Sequence, residues 1–155
     1  MHGMPGRDAA MMLLFAVYSV ALLVAIPYIV GAVGGWRLLS ERFRAVEEFR
    51  GDISRWFSAS MRWGVQYNNV LRLGANAEGV SIAPQLLFRM GHVPLFIPWN
   101  AIRLERSGWQ YFYLSVTFRL GLEEQIPFRF SKRIARKLRA AAGDSWPDRT
   151  NALLL

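Results

Sequence analysis

AAMMLLFAVYSVALLVAIPYIVGAVGGW, residues 9–36, contains no charged side chain. At the helical rise of about 1.5 Å per residue this is more than the roughly 30 Å hydrocarbon core of a bilayer requires. Tyr18, Ser19 and Pro27 interrupt the run. A membrane helix accommodates them, because hydroxyls bond locally and freed backbone groups find other partners. Two other readings fit less well. Buried helices of soluble proteins are usually shorter. A secretory signal has an apolar region of about 7–15 residues, so this run is too long for one even though Val30, Gly31 and Ala32 resemble a cleavage site. The expectation is a transmembrane helix over residues 9–36, preceded by a short tail, 1–8.

Flanking cations set the orientation, since arginine and lysine are retained on the cytoplasmic side. Arg7 alone precedes the span, whereas Arg37, Arg42, Arg44, Arg50 and Arg55 follow it. The N-terminus is therefore expected outside and the rest of the chain in the cytoplasm of a bacterial inner membrane. The chain has no cysteine and so no disulfide framework.

Gly34 and Gly35 close the span, and WRLLSERFRAVEEF, residues 36–49, continues with helical spacing. Leu39, Phe43 and Val46 share one face, while Arg37, Glu41, Arg44 and Glu48 fall on others. Trp36 suits the aromatic belt at the interface. Residues 37–50 thus read as a juxtamembrane connector lying on the bilayer or against the domain.

From residue 51 the period drops to two. Phe57, Ala59, Met61 and Trp63 alternate in one run; Phe112, Leu114, Val116 and Phe118 in another; Ile126, Phe128 and Phe130 in a third. Tyr111, Tyr113, Ser115, Thr117 and Arg119 would cover the outer face of the second, and Gln110 breaks its inner pattern. LRLGANAEGVSIAP reads as a hairpin in which Asn76 starts the turn and Gly79 supplies a positive-φ position. PLFIPW and AIRLERS add two strands that part near Asn100. The last element, SKRIARKLRAAAG, is an amphipathic helix with Ser131 as N-cap and Gly143 as stop. Ile134, Leu138, Ala141 and Ala142 form its apolar stripe, and Lys132, Arg133, Arg136, Lys137 and Arg139 the rest. Residues 51–143 make up the domain, and 144–155 a tail without periodicity.

About seven antiparallel strands followed by one helix make a small, mainly β, α+β domain. It resembles the pleckstrin-homology superfold and its GRAM-like bacterial relatives. GGWRLLSERFR, YNNVLRLGANAEGVSIAP and LFRMGHVPLFIPWNAI, between Gly34 and Trp146, are similar to a set of small bacterial single-pass membrane proteins. The resemblance implies a helix-capped barrel behind one transmembrane helix and carries over no catalytic residue. Phosphoinositide binders of the superfold gather cations between their first two strands. Here that loop, WGVQYNN, has none, with Arg62 just before it and Arg72 after, so no inositide site is expected.

Chemistry-bearing residues are sparse. His92 sits between Gly91 and Pro94, and the other histidine, His2, falls across the membrane. A zinc site would need unusual ligands, so His92 reads as structural, and neither metal nor cofactor is expected. No Gly-x-Ser-x-Gly elbow or phosphate-binding glycine loop occurs. Glu123 and Glu124 would face opposite ways on a strand. The reading is therefore a non-enzymatic module that binds a protein partner, the cytoplasmic membrane surface, or both. The alternative is a small accessory subunit of a membrane complex, associating through its span. The formal charge of +8 suits anionic lipid head groups, with Arg37, Arg42, Arg44, Lys132, Arg133, Arg136, Lys137 and Arg139 as contacts. Nucleic acid is not expected, because no known nucleic-acid fold accompanies the charge. Gly31 and Gly35 satisfy Gly-x-x-x-Gly, a spacing that lets two membrane helices pack into a homodimer.

Overall fold

The computed structural model describes residues 5–47, 49, 51–110 and 113–147. His2, Glu48, Arg50, Tyr111, Phe112 and residues 148–155 lie outside the described residues, as do the side chains of Gln110, Tyr113 and Leu114. Helix α1 spans Pro5–Val33, and its segment Arg7–Val33 is long and apolar enough to cross a membrane, with none of its most apolar window buried. Gly35, at φ 85°, turns the chain into α2, Trp36–Phe43. The strands are β1 (Asp52–Ser60), β2 (Gln66–Ala75), β3 (Gly79–Pro84), β4 (Leu95–Pro98), β5 (Ile102–Gln110), β6 (Tyr113–Leu120) and β7 (Ile126–Ser131), and α3 covers Lys132–Ala142.

All seven strands form one antiparallel sheet in the order β4-β3-β2-β1-β7-β6-β5, curled into a nearly closed barrel. The β1–β7 seam rests on a single pair, Ser60 with Arg129, whereas β6 and β7 pair from Ser115–Ser131 to Leu120–Ile126. Inward alternation fills the interior. Phe57, Leu71, Leu73, Ile82, Leu95, Ile97, Phe118, Leu120, Phe128 and Phe130 are buried in one cluster. Burying each such side chain contributes about 1.5–3 kcal/mol. Phe118 meets Phe130 edge-on with ring centroids 4.9 Å apart.

Several expectations are corrected by contacts remote in sequence. The connector helix stops at Phe43, because Arg44 turns extended and bridges Leu95 while the Ala45 N–H donates to the Pro94 carbonyl at 2.9 Å. Val46 is consequently exposed rather than on a buried stripe. Trp63 leaves the inward row of β1: it occupies a tight 3₁₀ turn at φ 58° and points to solvent. Ser115 and Thr117 are buried, and the Arg129 Nε, one strand over, donates to the Thr117 hydroxyl at 3.3 Å. Trp146, beyond Gly143, packs on Trp99 and Phe118, so ordered packing reaches past the expected boundary.

Asn76 does start the β2–β3 turn, its side-chain oxygen accepting from the Glu78 and Gly79 N–H groups at 2.9 and 3.0 Å. Gly79 is required for another reason than positive φ. It lies in β3, and a Cβ there would stand 2.5 Å from the Ile97 carbonyl oxygen and 2.9 Å from the Pro98 Cα, so only glycine lets β4 approach.

Candidate functional site: the two capped ends of the barrel

Antiparallel pairing of β1 with both β2 and β7 places the β1–β2, β3–β4 and β6–β7 connections, residues 61–65, 85–94 and 121–125, at one end of the barrel. That end also receives the C-terminus of α1. The β2–β3 turn and the start of α3 lie at the other.

At the α1 end, small residues let the backbones meet. A Cβ on Gly31 would stand 3.1 Å from both the Gly91 carbonyl oxygen and the His92 Nε2, and one on Gly34 3.3 Å from the Tyr67 hydroxyl. On Gly35 it would come within 2.7 Å of Ile126. Gly91 packs in turn on Tyr28: a Cβ on Gly91 would stand 3.1 Å from the Tyr28 Cα. The surface that Gly31 and Gly35 offer is thus covered by the chain's own barrel, which leaves no glycine face at this point for a second copy of the helix.

Trp36 is fully buried rather than interfacial. Its indole N–H donates to the Val93 carbonyl at 2.8 Å, and its ring meets those of Tyr67 and His92 at 5.7 and 5.1 Å. The His92 Nδ1 lies 3.1 Å from the Met90 carbonyl, which can only accept, so Nδ1 carries the proton. The other nitrogen, Nε2, then accepts from the Tyr67 hydroxyl at 3.0 Å. Burial lowers the His92 pKa, partly opposed by the Met90 carbonyl, and raises that of Tyr67, so the pair stays neutral. This is structural wiring, as read for His92; Tyr67 as its partner went unread, since the two lie 25 residues apart in separate elements. The glycines at 31, 34, 35 and 91 were the available signal, because they mark close backbone approach.

Helix α2 continues from this junction to the β6–β7 connection. Arg42 pairs with Glu123 at 2.8 Å and Glu124 at 3.2 Å. Both carboxylates therefore occupy a turn and converge on one guanidinium, instead of facing opposite ways on a strand. Arg37 and Arg44 are exposed beside them.

Helix α3 closes the other end. Leu138, Ala135 and Ala142 are buried against the barrel, while Ile134 and Ala141 are half-buried. Ser131 holds the N-cap position without a side-chain capping bond. Lys132, Arg133, Arg136, Lys137 and Arg139 are all exposed, and the Lys137 Nζ reaches the Ile53 carbonyl, at the start of β1, at 3.4 Å. The eight cations read as one membrane-contact set are accordingly divided: Arg37, Arg42 and Arg44 lie at the α1 end, the five of α3 at the opposite one. A groove beside α3, where β1 splays from β7, is lined by Trp56, Ser58, Asn69, Arg129, Arg133 and Lys137. Among the described residues no group of three His, Cys, Asp or Glu side chains could hold a metal ion. No known protein family, curated protein sequence or solved structure matches the chain.

Proposed function

We propose that this chain is a non-enzymatic, membrane-tethered interaction module of a bacterial inner membrane. Helix α1 crosses the bilayer with the N-terminus outside, and the barrel stands in the cytoplasm, where the basic face of α3 binds an acidic surface of a protein partner. The arginine excess after the span supports the orientation. The observation that carries the partner reading is the placement of α3 at the barrel end opposite α1. From Ile126, against Gly35, to Ser131 is five steps of β7, about 17 Å at the rise of an extended strand. The Debye length at physiological salt is about 8 Å, so the bilayer crossed by α1 exerts little pull on the α3 cations. In this reading anionic head groups are met by Arg37 and Arg44, which are exposed near the span, while Arg42 is engaged by Glu123 and Glu124.

A second reading, an accessory subunit held through its span, is favoured by the unburied apolar surface of α1. One experiment separates them. A photo-crosslinking residue replaces Arg136 or Val20 in the full chain, in native membranes. Protein adducts from position 136 that vanish when Arg133→Glu and Lys137→Glu are added support the module. Lipid adducts alone at position 136 refute it, and protein adducts confined to position 20 favour the subunit.

A further inference from the structure

The three connections at the α1 end each expose a large apolar side chain. Trp63, at the tip of the β1–β2 connection, is 77% exposed; Met90, in the β3–β4 connection, 52%; and Leu122, in the β6–β7 connection, 57%. Phe88, two residues before Met90, is 46% exposed. Trp56, on β1, is also exposed, but it is one side chain on a strand, whereas these four gather on connections at one end, and a group of large apolar side chains at one end of a barrel marks a contact surface. Each connection is held to the end of α1 or to the turn and helix that follow it. Val65 lies 3.4 Å from a Cβ built on Gly34, Gly91 packs on Tyr28, and Glu123 pairs with Arg42. The apolar tips therefore surround the point where α1 leaves its apolar environment.

The depth of these tips follows from helix length. Arg7–Val33 is 27 residues. That is about 40 Å, against about 30 Å of hydrocarbon; with the charged Arg7 and Asp8 in the outer head groups, about 20 residues from Ala9 cross the hydrocarbon and the last few of α1 reach the inner head-group layer. Tyr28, five residues before the end of α1, falls at the hydrocarbon boundary, where tyrosine is favoured. Gly91, packed on Tyr28, brings Met90 to the same depth. Trp63 and Leu122, level with Gly34 and α2, lie in the head-group layer, and the Arg62 guanidinium over the Trp63 ring, 5.4 Å from its centre, is placed among phosphates.

We propose that Trp63, Met90 and Leu122, with Phe88, form a rim seated in the same bilayer that α1 crosses, so that the barrel is embedded at one end rather than hung below the membrane. This rests on the reading that α1 spans the bilayer, and the experiment tests the two separately. Because the native chain has no cysteine, single variants Trp63→Cys, Met90→Cys, Leu122→Cys, Ala77→Cys and Val20→Cys can each carry a nitroxide. The full chain is reconstituted into phosphatidylcholine vesicles, and collision of the label with oxygen is compared with that of a water-soluble nickel chelate. The rim predicts an oxygen-to-nickel ratio severalfold higher at positions 63, 90 and 122 than at position 77, in the far β2–β3 turn. A rim position as accessible to nickel as position 77, with position 20 still in lipid, overturns the rim and leaves the span intact. Nickel access at position 20 overturns both.

Discussion

Both mouths of the barrel are shut by a helix, yet they are shut in different ways. At the α3 end the seal is Leu138 with two alanines, side chains that fill space and ask nothing of direction. At the α1 end the seal is Trp36, whose indole must find one carbonyl, beside a histidine and a tyrosine whose hydrogen bonds admit one tautomer. A nonpolar stopper keeps a helix in place while leaving its outer surface free; a polar, directional joint fixes an angle. The end that joins the apolar helix is therefore specified by buried directional bonds, and the end that displays the cations mainly by burial, with the exposed Lys137–Ile53 contact as a polar tie to β1.

The sharpest way to break this contrast is to truncate each stopper. Trp36→Ala in detergent-solubilised full-length protein is expected to cost about 3–5 kcal/mol, as for a buried aromatic, with the Val93 carbonyl left unsatisfied in addition. Leu138→Ala removes area only and is expected to cost about 2–5 kcal/mol. Denaturant midpoints measure both, and a smaller loss at Trp36 than at Leu138 would reverse the argument about the two seals.

Glycine replacements come next. Gly79→Val drives a side chain into the backbone of β4 and is expected to cost about 1–3 kcal/mol, the range for overpacking. Gly35→Val adds backbone strain of about 1–3 kcal/mol at φ 85° to its collision with Ile126, so it should be the worse of the two. Equal midpoints for both variants and the parent would remove the close-approach reading.

The smallest effect is that of pH, and it belongs to the α1 end. The folded-state pKa of His92 lies below the ordinary 6.5, so below that pH the unfolded chain takes up a proton that the folded chain resists. The stability contributed by neutral His92 is complete above about pH 6.5 and declines as pH falls toward the lowered value. His92→Gln, which cannot titrate, should flatten the fall in melting midpoint between about pH 7.5 and about pH 5.5. An identical slope in parent and variant would place the titration elsewhere.

What local sequence could reveal divides along similar lines. Strand existence was legible because half-buried strands keep their period of two, as Ile126, Phe128 and Phe130 do. So was the buried stripe of α3, since amphipathic spacing shows which face is covered. Which end of the barrel α3 covers depends on the pairing of β1 with β7, a contact between residues about 70 apart, and no helical pattern encodes it. Trp36 misled for the same reason: a tryptophan following an apolar run looks alike whether it meets lipid or a buried carbonyl. The end of α2 at Phe43 was hidden because Arg44 trades a helical turn for a bridge to Leu95.

The junction between α1 and α2 has one more implication. Val33 and Trp36 are separated by two glycines, and Gly31, Gly34 and Gly35 are each packed against the barrel or its loops. A flexible leash would let a domain sample a hemisphere of positions and diluted encounters. This short, packed connection holds the α3 cations at one height above the end of α1, in one orientation. On the reading proposed above, encounters in the membrane are confined to a plane, and an acidic surface is selected by its height as well as by its charge.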